Sequence, residues 1–313
     1  RIAKFLGSGA FAGRECQLAY HNALMSGLWA ALAQGRADRL AAMLADIPPL
    51  PHGTAWVTYV RCHDDIGWGA LVDSERPWGA STAELAALSQ FYAGAAPASF
   101  ARGANFQVGD AADFHGTNGT LAALVGLEAA AQDNDRAAAS LAIDRASLLF
   151  AVILAYGGIP VLYMGDEIGL CNDQDYRRHA PGGDGRWLHR PFMDWQRAAR
   201  LARGDDLLAA PLYRRLQALI AKRQALAVLH AGQGNQMLNA DCNAVLAFCR
   251  GEGPARLLVA GNFSDRTVTW RGPSTPWPEA PAQVRDIISD TAMPWPAAIT
   301  LRPYQTLWLM PEY

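Results

Sequence analysis

The sequence predicts an α/β protein with an all-β module at its C-terminal end. Three observations lead there. Two short apolar runs, Thr54–Cys62 and Gly158–Met164, read as buried strands, and each runs directly into an acidic loop. Ala- and Leu-rich stretches with helical spacing lie ahead of both, a strand–helix–strand order that favours parallel pairing with helical crossovers. After Ala231 the helical texture gives way to short alternating runs parted by Gly, Pro, Asn and Asp.

In chain order, Glu15–Tyr20 is a brief strand candidate. Residues 22–44 place Leu24, Leu28, Leu32, Leu40, Met43 and Leu44 at helical intervals, and Pro48-Pro49 stops the helical region. Thr54–Cys62 is the first buried-type strand. His63-Asp64-Asp65 stands at its C-terminal tip, followed by Ile66-Gly67-Trp68. Residues 66–121 carry Gly, Pro, Asp, Asn and aromatic residues without a steady period. A structureless loop of that length is rare, so the stretch reads as an inserted subdomain of short helices over the His-Asp-Asp tip.

Ala129–Tyr156 is strongly helical, with Leu141, Leu148, Leu149 and Ile153 on the expected buried stripe, and Gly157-Gly158 ends it. Gly165-Asp166-Glu167 follows the second strand, and residues 171–205 are polar and irregular. Leu207–Leu226 is helical on Leu212, Leu216, Leu219 and Ile220. The alternating runs are Ala244–Cys249, Arg256–Ala260, Thr267–Trp270, Gln283–Ile288 and Thr306–Leu309. The expected division is a helix-and-strand unit over residues 1–228, with its insert at about 66–121, and a β module over residues 229–313.

Composition excludes several classes. With 313 residues the chain can bury a substantial core. A formal net charge of -2 leaves no electrostatic footprint for nucleic acid. No apolar run approaches the ~20 residues that cross a bilayer, and no basic-then-apolar leader opens the chain, so no membrane partner is expected. Cys16, Cys62, Cys171, Cys242 and Cys249 lack paired spacing and read as free, mostly buried thiols. That state favours a reducing, cytoplasmic compartment, although export stays open. Nearly all basic residues are Arg, which beside the abundant Ala reads as biased base composition. Asn118-Gly-Thr and Asn262-Phe-Ser match the glycosylation pattern, a pattern common by chance.

His63, Asp64 and Asp65 admit three readings. His and Asp are possible metal ligands, but no other His stands at helical ligand spacing. Fixed carboxylates also stabilise the positive charge that develops on a sugar ring when a glycosidic bond breaks, and a neutral imidazole bonds ring hydroxyls. Finally, the two aspartates could cap a helix or pair with Arg61. Asp166 reads either as a helix N-cap, with Glu167 in the first turn, or as a catalytic acid. Arg186, in Asp184-Gly-Arg-Trp, could hold a carboxylate at the mouth of a pocket.

Several segments resemble the amylosucrases, a sucrose-active branch of the α-amylase family of glycoside hydrolases. They are Tyr59-Val-Arg-Cys-His-Asp-Asp-Ile-Gly-Trp68, Phe100-Ala-Arg-Gly103, Gly158-Ile-Pro-Val-Leu-Tyr-Met-Gly-Asp-Glu-Ile-Gly169, Asn172-Asp173 and Asp184-Gly-Arg-Trp-Leu-His-Arg-Pro191. The resemblance implies the C-terminal part of a (β/α)8 TIM barrel with an inserted subdomain, followed by an all-β sandwich. It implies retaining transfer of glucose from sucrose to an α-glucan acceptor, with release of fructose; no cofactor is expected, and no ligand cluster for a metal is identifiable in the sequence.

By motif, Asp64 would be the catalytic carboxylate that stabilises the transition state. His63 would bind the glucosyl ring, Asp65 would line the acceptor side, and Arg186 would close the pocket by pairing with an acidic residue upstream. The family's nucleophile Asp and acid/base Glu precede the matching region, so the first half of the barrel is expected to be absent and the chain inactive alone. The family's basic residue near Asp113–Asn118 is replaced here by Phe114-His115-Gly116-Thr117. That keeps a sucrose hydrolase as an alternative, and the expected absence of the nucleophile and acid/base keeps a non-catalytic carbohydrate-binding remnant as another.

Overall fold

In a computed structural model the chain is described over residues 5–7, 9–107, 114–205, 207–271 and 275–312. Residues 108–113, part of the expected insert and including Asp113, lie outside the described residues. Strand β1 (Leu18–Tyr20) leads through α1 (Asn22–Gln34) and α2 (Asp38–Ala45) to β2 (Ala55–Tyr59). The chain then passes through α3 (Thr82–Tyr92), the ribbon of β3 (Ala104–Asn105) and β4 (Thr117–Asn118), and three helices to β5 (Ile159–Val161). Those helices are α4 (Leu121–Val125), α5 (Leu127–Gln132) and α6 (Arg136–Tyr156). β1, β2 and β5 pair in parallel with β2 at the centre, as the strand–helix–strand order predicts.

The helices explain why the strands stay short. His21 caps α1 by accepting the Leu24 N–H on Nδ1, so β1 ends one residue earlier. The helical region expected over 22–44 is two helices, because Gly35 takes a left-handed conformation (φ 63°) and closes α1. Likewise Asp135 starts α6 by accepting the Ala137 and Ala138 N–H groups, separating it from α5. Leu141, expected on the buried stripe, is 40% exposed. It lies in an early turn, before α6 enters the core. From Leu148 to Tyr156 every residue of α6 is buried.

By length and composition α6 could cross a bilayer, which corrects the expectation that no apolar run approaches that size. Here its side chains fill the main core beside Trp29, Phe248 and Trp308.

The two faces of the parallel sheet differ. Trp56 and Thr58 point into the helical layer, where Thr58 Oγ1 donates to the Ile153 carbonyl at 3.3 Å. On the opposite face, Tyr20, Val57 and Ile159 stand in register across the three strands. Leu18, Tyr20, Ile159 and Val161 are exposed there.

Helices α7 (Trp195–Ala202) and α8 (Ala210–Ala225) precede the β-rich region. Leu212, Leu216 and Leu219 of α8 are buried as expected, whereas Ile220 is half-buried. The strands that follow are β6 (Asn235–Leu238), β7 (Val245–Arg250), β8 (Leu257–Asn262), β9 (Val268–Arg271), β10 (Gln283–Asp286), β11 (Thr291–Pro294), β12 (Ala298–Leu301) and β13 (Thr306–Glu312). Six form an antiparallel sheet in the order β11-β10-β13-β8-β7-β6, and β12 pairs with β9. Period-two alternation divides the six-stranded sheet between two cores. Leu246, Phe248, Leu257, Val259 and Trp308 face α6 and the main core. Val245, Ala247, Leu258, Ala260, Leu307 and Leu309 face Trp270, Ile299 and Leu301 of the β9–β12 pair.

The five cysteines are unpaired, but only Cys249 is fully buried and Cys16 is exposed. Asn118 and Asn262 are both buried, which removes the two glycosylation matches from the surface.

Candidate active site at the tip of the central strand

Beyond Tyr59 the central strand climbs through Val60 and Arg61, both buried, and surfaces at His63 and Asp64. Their side chains are 62% and 49% exposed. Asp65 turns back and is half-buried. The tip is therefore a rim of polar groups on a buried stalk.

Arg186, in a short 3-10 turn over Gly185–His189, reaches the rim from 122 residues away. Its Nη1 donates to Asp64 Oδ1 at 2.8 Å. Its Nε and Nη2 grip Asp184, with Nη2 donating to Oδ2 at 2.8 Å. One guanidinium thus bridges two carboxylates, and its bonds hold the Asp184 carboxyl down to about 2. The Phe106 ring lies 5.2 Å from the same guanidinium. The sequence expectation gave Arg186 an acidic partner upstream. In this structure its partners are Asp64 and Asp184.

Arg190 Nε donates to the His63 carbonyl at 2.7 Å, and the guanidinium stands 3.8 Å from Asp64 Oδ1. His189 Nε2 lies 3.0 Å from the same carbonyl. Burial, with Arg61 nearby, pushes His189 down to about 3, so it is neutral and can donate that hydrogen bond. His63 itself stands 3.6 Å from Asp64 Oδ2.

Beneath the rim, Arg61 pairs with Asp166 at 3.3 Å, donates to the His189 carbonyl at 2.9 Å and lies 4.5 Å from the Tyr163 ring. Asp166 is fully buried, and burial raises its carboxyl to about 6 against the opposing pull of Arg61. It sits in a turn and is not the helix N-cap that the sequence suggested. Arg61 is taken by Asp166 and not by Asp64 or Asp65.

Asp65 faces the insert. Ile66 and Thr117 exchange backbone hydrogen bonds at 2.8 and 3.1 Å, which lays β4 beside the rim. A Cβ on Gly116 would lie 2.1 Å from Asp65 Oδ2, so a larger residue there would have to displace the Asp65 carboxylate. Burial, reinforced by Asp64, raises the Asp65 carboxyl above its ordinary range. Phe114 and His115 precede this glycine and stand where the family's basic residue was expected.

Cys62, His63 and Asp64 offer ligand atoms within 4.8 Å of one another. The same Asp64 oxygen is engaged by Arg186 and approached by Arg190, a cationic setting that opposes a metal ion. The rim is open: none of His63, Asp64, Asp65 or Arg186 lines the cavity of about 420 Å³ found elsewhere in the molecule.

The structure brings all four sequence-selected residues to one rim. Sequence reasoning missed Asp184 as the partner of Arg186, and it missed the His189 and Arg190 clamp on the His63 carbonyl. The only signal was that all three lie within four residues of Arg186.

No protein-family model matches the chain. The trehalose synthase/amylase TreS of Mycobacterium tuberculosis is 27% identical over 169 residues, 54% of this chain and 22% of that protein. Its counterpart from Mycolicibacterium smegmatis matches to the same extent. Among solved structures, AmyP in complex with maltose has a TM-score of 0.53 at 14% identity, covering 97% of this chain and 52% of its own. An α-amylase from H. orenii gives 0.51 at 14% identity, covering 95% and 49%. The chain spans under a quarter of the TreS proteins and about half of these solved structures. Together the sequence relatives and the shared fold, including its sheet-rich C-terminal region, indicate a relationship to the α-amylase family of glycoside hydrolases.

Proposed function

We propose that the chain supplies the sugar-gripping rim of a retaining enzyme that takes glucose from sucrose and passes it to an α-glucan acceptor, in the manner of an amylosucrase. The observation that carries this is the Asp64 carboxylate, raised on the central strand, tethered through one oxygen and half-open to solvent beside an exposed imidazole. On this reading residues 1–228 are part of an eight-stranded barrel, of which three parallel strands stand among the described residues. Residues 229–313 are an appended sandwich.

The chemistry divides accordingly. A carboxylate nucleophile from another strand attacks the glucosyl carbon, the bond to fructose breaks, and a carboxylic acid gives its proton to the departing oxygen. An acceptor hydroxyl, or water, then displaces the enzyme carboxylate and surrenders its proton to the same acid/base. Asp64 stabilises the oxocarbenium character in both steps and accepts ring hydroxyls, His63 bonds the glucosyl ring, Asp65 lines the acceptor side, and Arg186 holds Asp64 in place. Asp184 is unsuited to act as the acid, because Arg186 keeps its carboxyl ionised.

A second reading follows from the sequence relatives, whose name is trehalose synthase/amylase: cleavage or rearrangement of trehalose or malto-oligosaccharides. One experiment separates the readings. The protein, with its barrel strands complete, is incubated with sucrose, trehalose and maltotriose in turn. Fructose with insoluble glucan supports the proposed transfer, and fructose with equal free glucose indicates a sucrose hydrolase. Turnover of trehalose or maltotriose without any of sucrose overturns the sucrose reading, and absence of all turnover leaves only a carbohydrate-binding remnant.

A further inference from the structure

A cavity of about 420 Å³ lies far along the chain from the rim residues, where α6 and α8 meet the loops at 286–289 and 302–306. That volume suits a small metabolite and exceeds what a single inorganic ion fills. Its charges are unevenly spent. Asp144 is bonded to Arg215. Asp286 accepts the N–H groups of Ile288, Ser289 and Trp308 and the Ser289 hydroxyl, so its charge is compensated from within. Lys222 and Arg302 also line the cavity, and among the described residues neither side chain makes a hydrogen bond or an ion pair.

The remaining walls fit a hydroxylated ligand. Ser140 and Gln305 also line the cavity, and among the described residues neither the Ser140 hydroxyl nor the Gln305 side-chain N–H groups make a hydrogen bond, so both are available to ligand hydroxyls. Leu148 and Tyr304 line the cavity as apolar surface against which the carbon face of a sugar could pack. Two uncommitted cations, two uncommitted polar side chains and an apolar wall call for an anion that also carries hydroxyl groups.

We propose that this cavity binds a phosphorylated sugar, with Lys222 and Arg302 on the phosphate and Ser140 and Gln305 on ring hydroxyls. The site is separate from the proposed sucrose chemistry and does not depend on it.

Calorimetric titration of the purified chain tests this with four probes: glucose 1-phosphate, glucose 6-phosphate, inorganic phosphate and glucose. The expected result is saturable 1:1 binding of at least one sugar phosphate. Inorganic phosphate and glucose should each bind at least about tenfold more weakly, each lacking one half of the contacts. Lys222→Gln and Arg302→Gln should each lower the affinity about tenfold or more, as expected for a lost hydrogen bond to a charged group. Both alter polar groups at the cavity wall, and an unchanged melting temperature without ligand shows that they fold. Asp64→Ala should leave the binding intact. No sugar-phosphate binding at millimolar concentration overturns the proposal. So does glucose binding as tightly as its phosphates, or affinity that survives both substitutions.

Discussion

Asp64 owes its position to groups that are remote in sequence. Arg186 fixes one oxygen, and the His63 carbonyl next to it is held by Arg190 and His189. Substituting Arg186 with Ala removes the bridge. The Asp184 carboxyl should then rise from about 2 toward its ordinary 3.8, which a carbon-detected NMR titration measures directly. An unmoved titration contradicts the bridge. In the active assembly the same variant should raise the KM for sucrose about tenfold through the lost charge-assisted bond.

Two buried histidines give the fold a sign-definite pH response. Burial lowers His21 and His189 from 6.5 to about 3. As pH falls through 6.5 the unfolded chain takes up these protons and the folded chain does not. Their contribution is therefore complete above 6.5 and is lost toward pH 3, at about 1.4 kcal/mol per pH unit for each histidine. Asp166, raised to about 6, and Asp65 and Glu128, both raised above their ordinary values by burial, bind protons first in the folded state and oppose that loss. Urea unfolding of the parent and a His21 variant over about pH 4 to 6 separates the His21 contribution from these opposing groups. His21→Asn keeps an N-cap acceptor for α1 and should lower the slope of stability against pH by about 1.4 kcal/mol per pH unit relative to the parent. An unchanged slope in that variant contradicts the assignment.

At the scale of elements, α6 joins the parallel sheet to the C-terminal sheet. Leu149→Ala, at a fully buried position, should cost about 2–5 kcal/mol in denaturant unfolding. Asp135→Ala should cost about 1 kcal/mol through the lost N-cap. A larger loss from the cap than from the leucine would contradict α6 as a core helix.

This is also the scale at which the sequence was most legible. Strands β2, β5, β7, β8 and β13 are apolar or alternate cleanly, and their type was readable. β6 (Asn-Gln-Met-Leu) and β11 (Thr-Ala-Met-Pro) were not, because they are edge strands with little buried surface to impose a pattern. The breaks at Gly35 and at Asp133–Asp135 were hidden by Ala-rich flanks that continue the helical period. At the candidate site, the His-Asp-Asp tip was legible because a strand end is a local feature. The Arg61–Asp166 pair was not, because it depends on how two strand ends approach each other in space.

For the whole molecule, the consequential feature is the open face of the parallel sheet. Leu18, Tyr20, Ile159 and Val161 form an apolar patch on strands β1 and β5, whose outer edges are unpaired among the described residues. Such surfaces mark association sites. The chain by itself should bind a hydrophobic dye, and the double variant Tyr20→Ser, Ile159→Thr should lower that signal by at least half while leaving secondary structure intact. Equal dye binding would show that the patch is covered.

The central claim is that Asp64 stabilises a glucosyl cation. The most direct measurement is fructose release from sucrose by the barrel-complete protein, with Asp64 intact and as Asp64→Asn. Loss of a preorganised carboxylate at the developing charge should lower kcat by about 10²–10³ or more with an unchanged melting temperature. Release within tenfold of the parent, at equal stability, would contradict the account.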